Sequence, residues 1–312
     1  MSSKVNTHQH WYFDANIFQP SAAQMKFLLT LLPDVDQAKV IKYRSLKDQK
    51  LSLISALIQR AKIRETFTCS NEDFTIKRTS HNKPFATSEN VPILQWNYNV
   101  SHHGSYVTIL SDHSRPIGVD LVQRSVRKSW KGSASKYISQ FTSQLTFAER
   151  QACSNHTCEW EQYTHFFVIW SLKEAYIKTV GKGLSMDLLS PSFQVQFQKL
   201  SSENVTGTAS VKIDGCERPD WEFSFSSLDA QHVVTVAKGP ILGGEYEYKC
   251  YKKEPEGMEE VEVVREIDRE EVQPTQVQLL DILSPADQVI WNKLEECERS
   301  AAAGHLLVTA AQ

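Results

Sequence analysis

Soon after Pro33 the apolar positions Leu46, Leu53, Ile54, Leu57, Ile58 and Ala61 recur at helical spacing, which predicts one long amphipathic helix over this stretch. DFTIKR at 73–78 then alternates polar and apolar before the loop SHNKP. Ser105 to Leu110 and Ile117 to Val122 flank the turn-prone SDHSRP and read as a β-hairpin ending in GVDLV. From Thr146 the pattern turns helical again, with Thr146 and Glu149 at capping-box spacing and a long apolar run through Trp170 to Val180, closed by Gly181 and Gly183. Strands return at SFQVQFQKL, ASVKIDG, WEFSFSSL and HVVTVAK. Helices and mainly antiparallel strands are therefore mixed without regular alternation, an α+β fold with two lobes meeting near residues 110 to 120.

Beyond Pro240 the chain becomes acidic (EPEGMEEVEVVREIDREEV), with an amphipathic helix expected around 276–300. Composition favours a loosely attached, solvated extension there, the alternative being a partner-binding arm. A chain of 312 residues with 41% hydrophobic content suits one large domain or two small ones. Its net charge of -3 demands neither nucleic acid nor an anionic membrane as partner. Six scattered cysteines lack CxxC spacing, and neither a signal segment nor a membrane span is visible, so the expected compartment is the reducing cytosol.

Candidate chemistry begins on the second helix. At about 100° per residue, Tyr163, Phe166, Phe167, Trp170 and Ile177 share a face with Glu174 in its middle. A carboxylate among aromatics must be paired, protonated or bound to a cation. Lys178, four residues on, is the local partner, and Lys173 borders the same face. On the expected hairpin strand, Ile117, Val119 and Leu121 point one way, and Gly118, Asp120 and Val122 the other. Gly118 beside Asp120 leaves room for a ligand or metal to approach. Two carboxylates on separate elements suit magnesium on a phosphorylated ligand, because magnesium takes one or two carboxylates and fills its shell with water and phosphate oxygens.

In order along the chain, NVSHHG at 99–104, IGVDLV at 117–122 and WSLKEAYIKTVGKGL at 170–184 closely resemble the 4'-phosphopantetheinyl transferases, in particular the monomeric two-lobed branch that includes the animal enzyme. The likeness runs from Trp11 to Lys238. It implies two similar α/β lobes related by pseudo-twofold symmetry, an N-terminal lobe over 1–115, a C-terminal lobe over 116–240 carrying the GVD and KEA motifs, and a tail over 241–312. The implied activity moves the phosphopantetheine arm of coenzyme A to a serine of an apo acyl carrier protein, leaving 3',5'-ADP. The implied magnesium ligands are Asp120 and Glu174, with Lys178 facing the reacting phosphate and Glu174, directly or through metal-bound water, as base. Coenzyme A contacts fall by likeness on Arg44, on Arg78, Thr79, Lys83 and Pro84, and on Asn99, Ser101 and His102, the last able to donate a ring N–H to phosphate. Val122 stands where many bacterial relatives place a second acid, which leaves open how many protein oxygens hold the ion.

The implied acceptors are acyl carrier protein domains, whether of a fatty acid synthase, a mitochondrial carrier protein or an aminoadipate-semialdehyde dehydrogenase-like carrier. Arg124, Arg127, Lys128, Lys131 and Lys136, interleaved with Trp130 and Tyr137, are the segment expected to dock them, with RNA or phosphoinositide binding as the rival. Two alternatives stay open: an inactive relative that only binds coenzyme A or carrier, against which intact Asp120, Glu174 and Lys178 argue, and a magnesium-dependent phosphohydrolase.

Overall fold

The computed structural model describes residues 8–91, 93, 96–126, 129–240 and 274–309. The acidic tract at 254–272 lies outside these residues, as do Arg127 and Lys128.

The first lobe opens with strand β1 (His8–Asp14) and helices α1 (Ala22–Thr30), α2 (Asp34–Ile41) and α3 (Leu46–Phe67). Hairpin strands β2 (Thr75–Arg78) and β3 (Pro84–Thr87) follow, then β4 (Asn97–His103) and β5 (Tyr106–Asp112). The second lobe holds β6 (Ile117–Gln123), α4 (Ala134–Ile138), α5 (Phe147–Ser154) and α6 (Glu159–Val180). Its remaining strands are β7 (Pro191–Leu200), β8 (Val205–Ile213), β9 (Cys216–Glu217), β10 (Glu222–Ser227) and β11 (His232–Lys238). The chain then returns to the first lobe with β12 (Thr275–Gln276), α7 (Leu279–Ile282) and α8 (Pro285–Thr309).

One sheet runs β12-β1-β5-β4 and the other β6-β11-β10-β8-β7, with β9 on β8, while β2 and β3 pair alone. Each lobe sets one 22-residue helix, α3 or α6, against its sheet, so the α+β, two-lobed expectation describes the molecule. Each lobe has its own apolar core. A third cluster joins them, in which Tyr106 and Leu110 meet Ile117, Val119, Leu121 and Val234. The alternation expected along 117–122 is present, since Val122 instead enters the core built around α6.

Several expectations are corrected. The helix after Pro33 is two helices: Ser45 adopts an extended conformation ahead of α3, and α2 folds back so that Asp36 takes a hydrogen bond from Arg60 at 3.2 Å. The helix from Thr146 is also two. Its capping box forms, but α5 ends at Asn155 and α6 starts after Cys158, across a run of residues that favour caps over helix interiors.

The expected hairpin across SDHSRP does not exist. β5 turns back on β4 at Gly104, whose φ is +64°, and β6 pairs with β11. The chain leaves the first sheet because Asp112 accepts the backbone N–H groups of Ser114 and Arg115 at 2.7 and 2.9 Å, bending it sharply. Buried Arg115 then reaches into the second lobe, donating to the carbonyls of Gly239 and Asp220 and to the Glu222 carboxylate at 2.7, 2.9 and 2.5 Å.

The C-terminal helix is present as expected, but it is not a solvated extension. β12 runs parallel to β1, the Val277 N–H bonds to the Tyr12 carbonyl at 2.9 Å, and Val277, Ile282, Leu283 and Trp291 are buried in the first lobe's core. Apolar burial of this size outweighs the solvated reading drawn from composition.

Candidate active site

The site forms where α6 crosses β6. Gly118 permits the crossing: a Cβ there would lie 2.1 Å from the Ala175 carbonyl oxygen and 2.5 Å from Thr179 Oγ1. The space expected for a ligand beside Gly118 is therefore filled by helix backbone. Gly118→Ala should push α6 off the sheet, costing about 1–3 kcal/mol as overpacking does. Urea unfolding would measure this, and unchanged stability would show that the helix can slide without loss.

Two residues on, buried Asp120 faces the same helix. Its Oδ2 accepts from Ser171 Oγ at 2.9 Å, and its Oδ1 accepts from Lys178 Nζ at 2.6 Å and Ser101 Oγ at 3.3 Å. Ser171, Glu174 and Lys178 share one stripe of α6 at three- and four-residue spacing. Ser171 escaped the sequence reading, although that spacing from Glu174 was available to find it.

Lys178 is not the partner of Glu174, as its spacing suggested. Its ammonium also donates to Ser101 Oγ at 2.9 Å and to the Val119 carbonyl at 3.2 Å, so three contacts engage its three protons. Nor does Lys173 lie by Glu174. It is buried, in an ion pair of 3.0 Å with Glu149, and donates to the Leu188 and Pro191 carbonyls at 2.7 and 2.6 Å. Glu174 is left half-buried with neither hydrogen bond nor ion pair among the described residues. Burial, and next the negative charge of Asp120, push its carboxyl above the ordinary glutamate range, while Lys178 pulls it partly back.

β4 supplies the other wall. Asn97 Oδ1, Asn99 Oδ1, Ser101 Oγ and His103 Nδ1 accept the backbone N–H groups of Ile117, Val119, Leu121 and Gln123 at 3.1, 2.9, 3.2 and 3.3 Å. Asn99 and Ser101 thus belong to the seam between the lobes, and Ser101 to the Asp120–Lys178 cluster as well. His102, at the alternate position, turns to the other side of the strand and reaches solvent. The protein packed about it, then the charges of Lys178 and His103, lower its pKa, so the ring is uncharged at neutral pH. The charge of Asp48, in the first turn of α3, opposes that shift as the smallest of its causes. Arg44 lies exposed in the turn just ahead of that helix.

In the β2–β3 hairpin, Arg78 is exposed and donates to the Asn82 carbonyl at 3.0 Å, while Thr79 Oγ1 accepts the Lys83 N–H at 3.1 Å. Pro84 is buried at the start of β3. The loop sits against the end of α6, since a Cβ on Gly183 would meet His81 at 3.7 Å. Lys83 turns inward, and its ammonium donates to the carbonyls of Ile117, Lys178 and Thr179 at 3.0, 2.8 and 3.0 Å. In the expected docking segment, Arg124 is likewise committed internally, to Thr164 and to the Ser202 and Ala230 carbonyls, with its guanidinium 5.2 Å from the Trp160 ring centre. Lys131 and Lys136 remain exposed.

Among the described residues no group of three or more His, Cys, Asp or Glu could hold a metal ion. The Asp120–Glu174 pair still fits a hard divalent cation. Glu174 has no partner among the described residues, the charge of Asp120 disfavours its ionised form, and the two carboxylates with the Ser101 and Ser171 hydroxyls offer oxygens, the ligand type magnesium takes when substrate and water complete its shell. Among the described residues no helix is long and apolar enough to cross a membrane.

Two carboxylates and a lysine are thus gathered at a lobe seam, with the Arg78 hairpin at the end of the same helix, a set of charges of the kind that can meet phosphate. Residues 16–114 match the 4'-phosphopantetheinyl transferase N-terminal family and residues 116–237 match the 4'-phosphopantetheinyl transferase superfamily. A 4'-phosphopantetheinyl transferase of Paxillus involutus is 30% identical over 204 residues, covering 62% of this chain and 72% of the relative. Several relatives are named L-aminoadipate-semialdehyde dehydrogenase-phosphopantetheinyl transferase. That of Schizosaccharomyces pombe is 30% identical over 63% of this chain and 73% of its own length, and that of Mus musculus 25% identical over 78% of each. The chain belongs to the phosphopantetheinyl transferase family.

Proposed function

We propose that this enzyme moves the phosphopantetheine arm of coenzyme A to the serine hydroxyl of an apo carrier protein, using Asp120, Glu174 and Lys178. The observation that carries these assignments is the unpartnered Glu174 carboxylate beside the Asp120–Lys178 ion pair. Glu174 takes the serine proton, and a carboxyl that burial has made more basic is a better acceptor. The serine oxygen bonds to the phosphorus bearing the pantetheine arm, the bond from that phosphorus to the bridging oxygen breaks, and 3',5'-ADP leaves with the electron pair. Lys178 sets a positive charge beside the reacting phosphate. The uncharged His102 ring donates one N–H to a phosphate oxygen, and Arg78 and Arg44, both exposed, hold the outer phosphates. Asp120 and Glu174 would hold a magnesium ion, which supplies charge neutralisation on the pyrophosphate.

The family likeness supports carrier domains as acceptors, and the relatives named for aminoadipate-semialdehyde dehydrogenase favour a carrier of that type. Fatty acid synthase and mitochondrial carriers, a monomeric state and a cytosolic location belong to the same reading. Arg124 cannot contribute to docking while it is bonded inside the second lobe, so exposed Lys131 and Lys136 carry the steering of an acidic carrier.

The test is to incubate the purified protein with apo carriers of the three kinds, coenzyme A and magnesium. Mass spectrometry should show a gain of one phosphopantetheine group that requires magnesium. No gain on any of them would overturn the reading in favour of an inactive binding relative.

A further inference from the structure

We infer that Lys83 is a positioning residue, whose ammonium clamps the end of α6 to the start of β6, and not a ligand of coenzyme A phosphate. Its three protons go to three backbone carbonyls, those of Ile117, Lys178 and Thr179. The latter two belong to the last turn of α6, whose carbonyls have no amide ahead of them within the helix and form the negative end of its dipole. Ile117 opens the strand that carries Asp120. One side chain thus ties together the two elements that bring Asp120, Glu174 and Lys178 to one place.

Local structure fits this task. α6 stops at Gly181, with φ +75°, where a Cβ would come within 3.3 Å of Lys83 Cδ, so the glycine lets the lysine stem cross the helix end. At its other end the lysine is fixed by its hairpin. The Thr79 N–H bonds to the Lys83 carbonyl at 2.9 Å, the Lys83 N–H bonds to Thr79 Oγ1, and Asn82 takes a φ of +72° to close the turn. A phosphate would have to displace a carbonyl to reach this ammonium, whereas Arg78 across the hairpin is exposed and, among the described residues, donates one bond, to the Asn82 carbonyl.

The catalytic readout rests on the proposed transferase activity, and an amide-exchange readout does not. Lys83→Met keeps the stem and removes the charge. Lys83→Arg keeps the charge, but a planar guanidinium suits a phosphate and not three carbonyls converging on one ammonium. Both variants should lower kcat about tenfold or more, leave the Kd for coenzyme A, measured calorimetrically without carrier, within about twofold of the original, and speed amide exchange at residues 177–181. Three results would overturn the inference: a Kd raised about tenfold in Lys83→Met with kcat retained, recovery of full activity in Lys83→Arg, or unchanged exchange in both. If the unaltered protein transfers nothing, the functional reading fails, and amide exchange in the two variants still decides the role of Lys83.

Discussion

Glu174→Gln should lower kcat by about 10²–10⁴, the range general-base catalysis supplies, while making the metal-free protein more stable at neutral pH. The first effect follows from losing the proposed proton acceptor. The second follows from the unpartnered carboxylate, which burial and Asp120 both disfavour in its charged form. Because the folded state holds this proton to a higher pH than the unfolded chain does, the group favours folding at low pH. That contribution is lost as pH rises through the unfolded value toward the raised folded one. The glutamine variant should lack this decline, so its thermal midpoint should cross above that of the original protein as pH rises. A variant less stable at pH 7 would mean that Glu174 has a favourable partner after all.

Lys173→Met should cost about 3–5 kcal/mol, the penalty for leaving a buried charge without its partner. The abandoned charge is Glu149, whose side chain is fully shielded from solvent and whose oxygens also accept the N–H groups of Thr146 and Phe193 at 2.7 and 2.9 Å. Denaturant unfolding would report the loss, and the Glu149→Gln, Lys173→Met double variant should recover part of it, since a neutral amide removes the stranded charge. A double variant no better than the single would place the damage in the lost bonds to Leu188 and Pro191.

Comparing sequence with structure, local patterns were legible and long-range partners were not. Helical spacing located α3 and α6, alternation located the strands of the second sheet, and Thr146 with Glu149 marked a real cap. Partners escaped because spacing gives only neighbours on one element. Lys178 lies one turn from Glu174, yet its shortest contact is Asp120, 58 positions away. The KEA triplet divides in a way no periodicity shows: Lys173 serves the core, Glu174 stands unpartnered beside Asp120, and the Ala175 carbonyl lies against Gly118. Gly118 itself was read as room for a ligand because a missing side chain does not say what fills its place.

The bonds from β4 side chains to β6 have a consequence for solubility. β6 ends its sheet, and a bare terminal strand invites another chain to pair with it. Here the amides of Ile117, Val119, Leu121 and Gln123 are taken by side chains, and the carbonyls of Ile117 and Val119 by Lys83 and Lys178. The edge is closed without a neighbouring strand hydrogen-bonded along it. A fragment beginning at Pro116 would carry IGVDLVQ with that edge stripped, and light scattering should find it aggregating at concentrations where the whole chain stays dispersed.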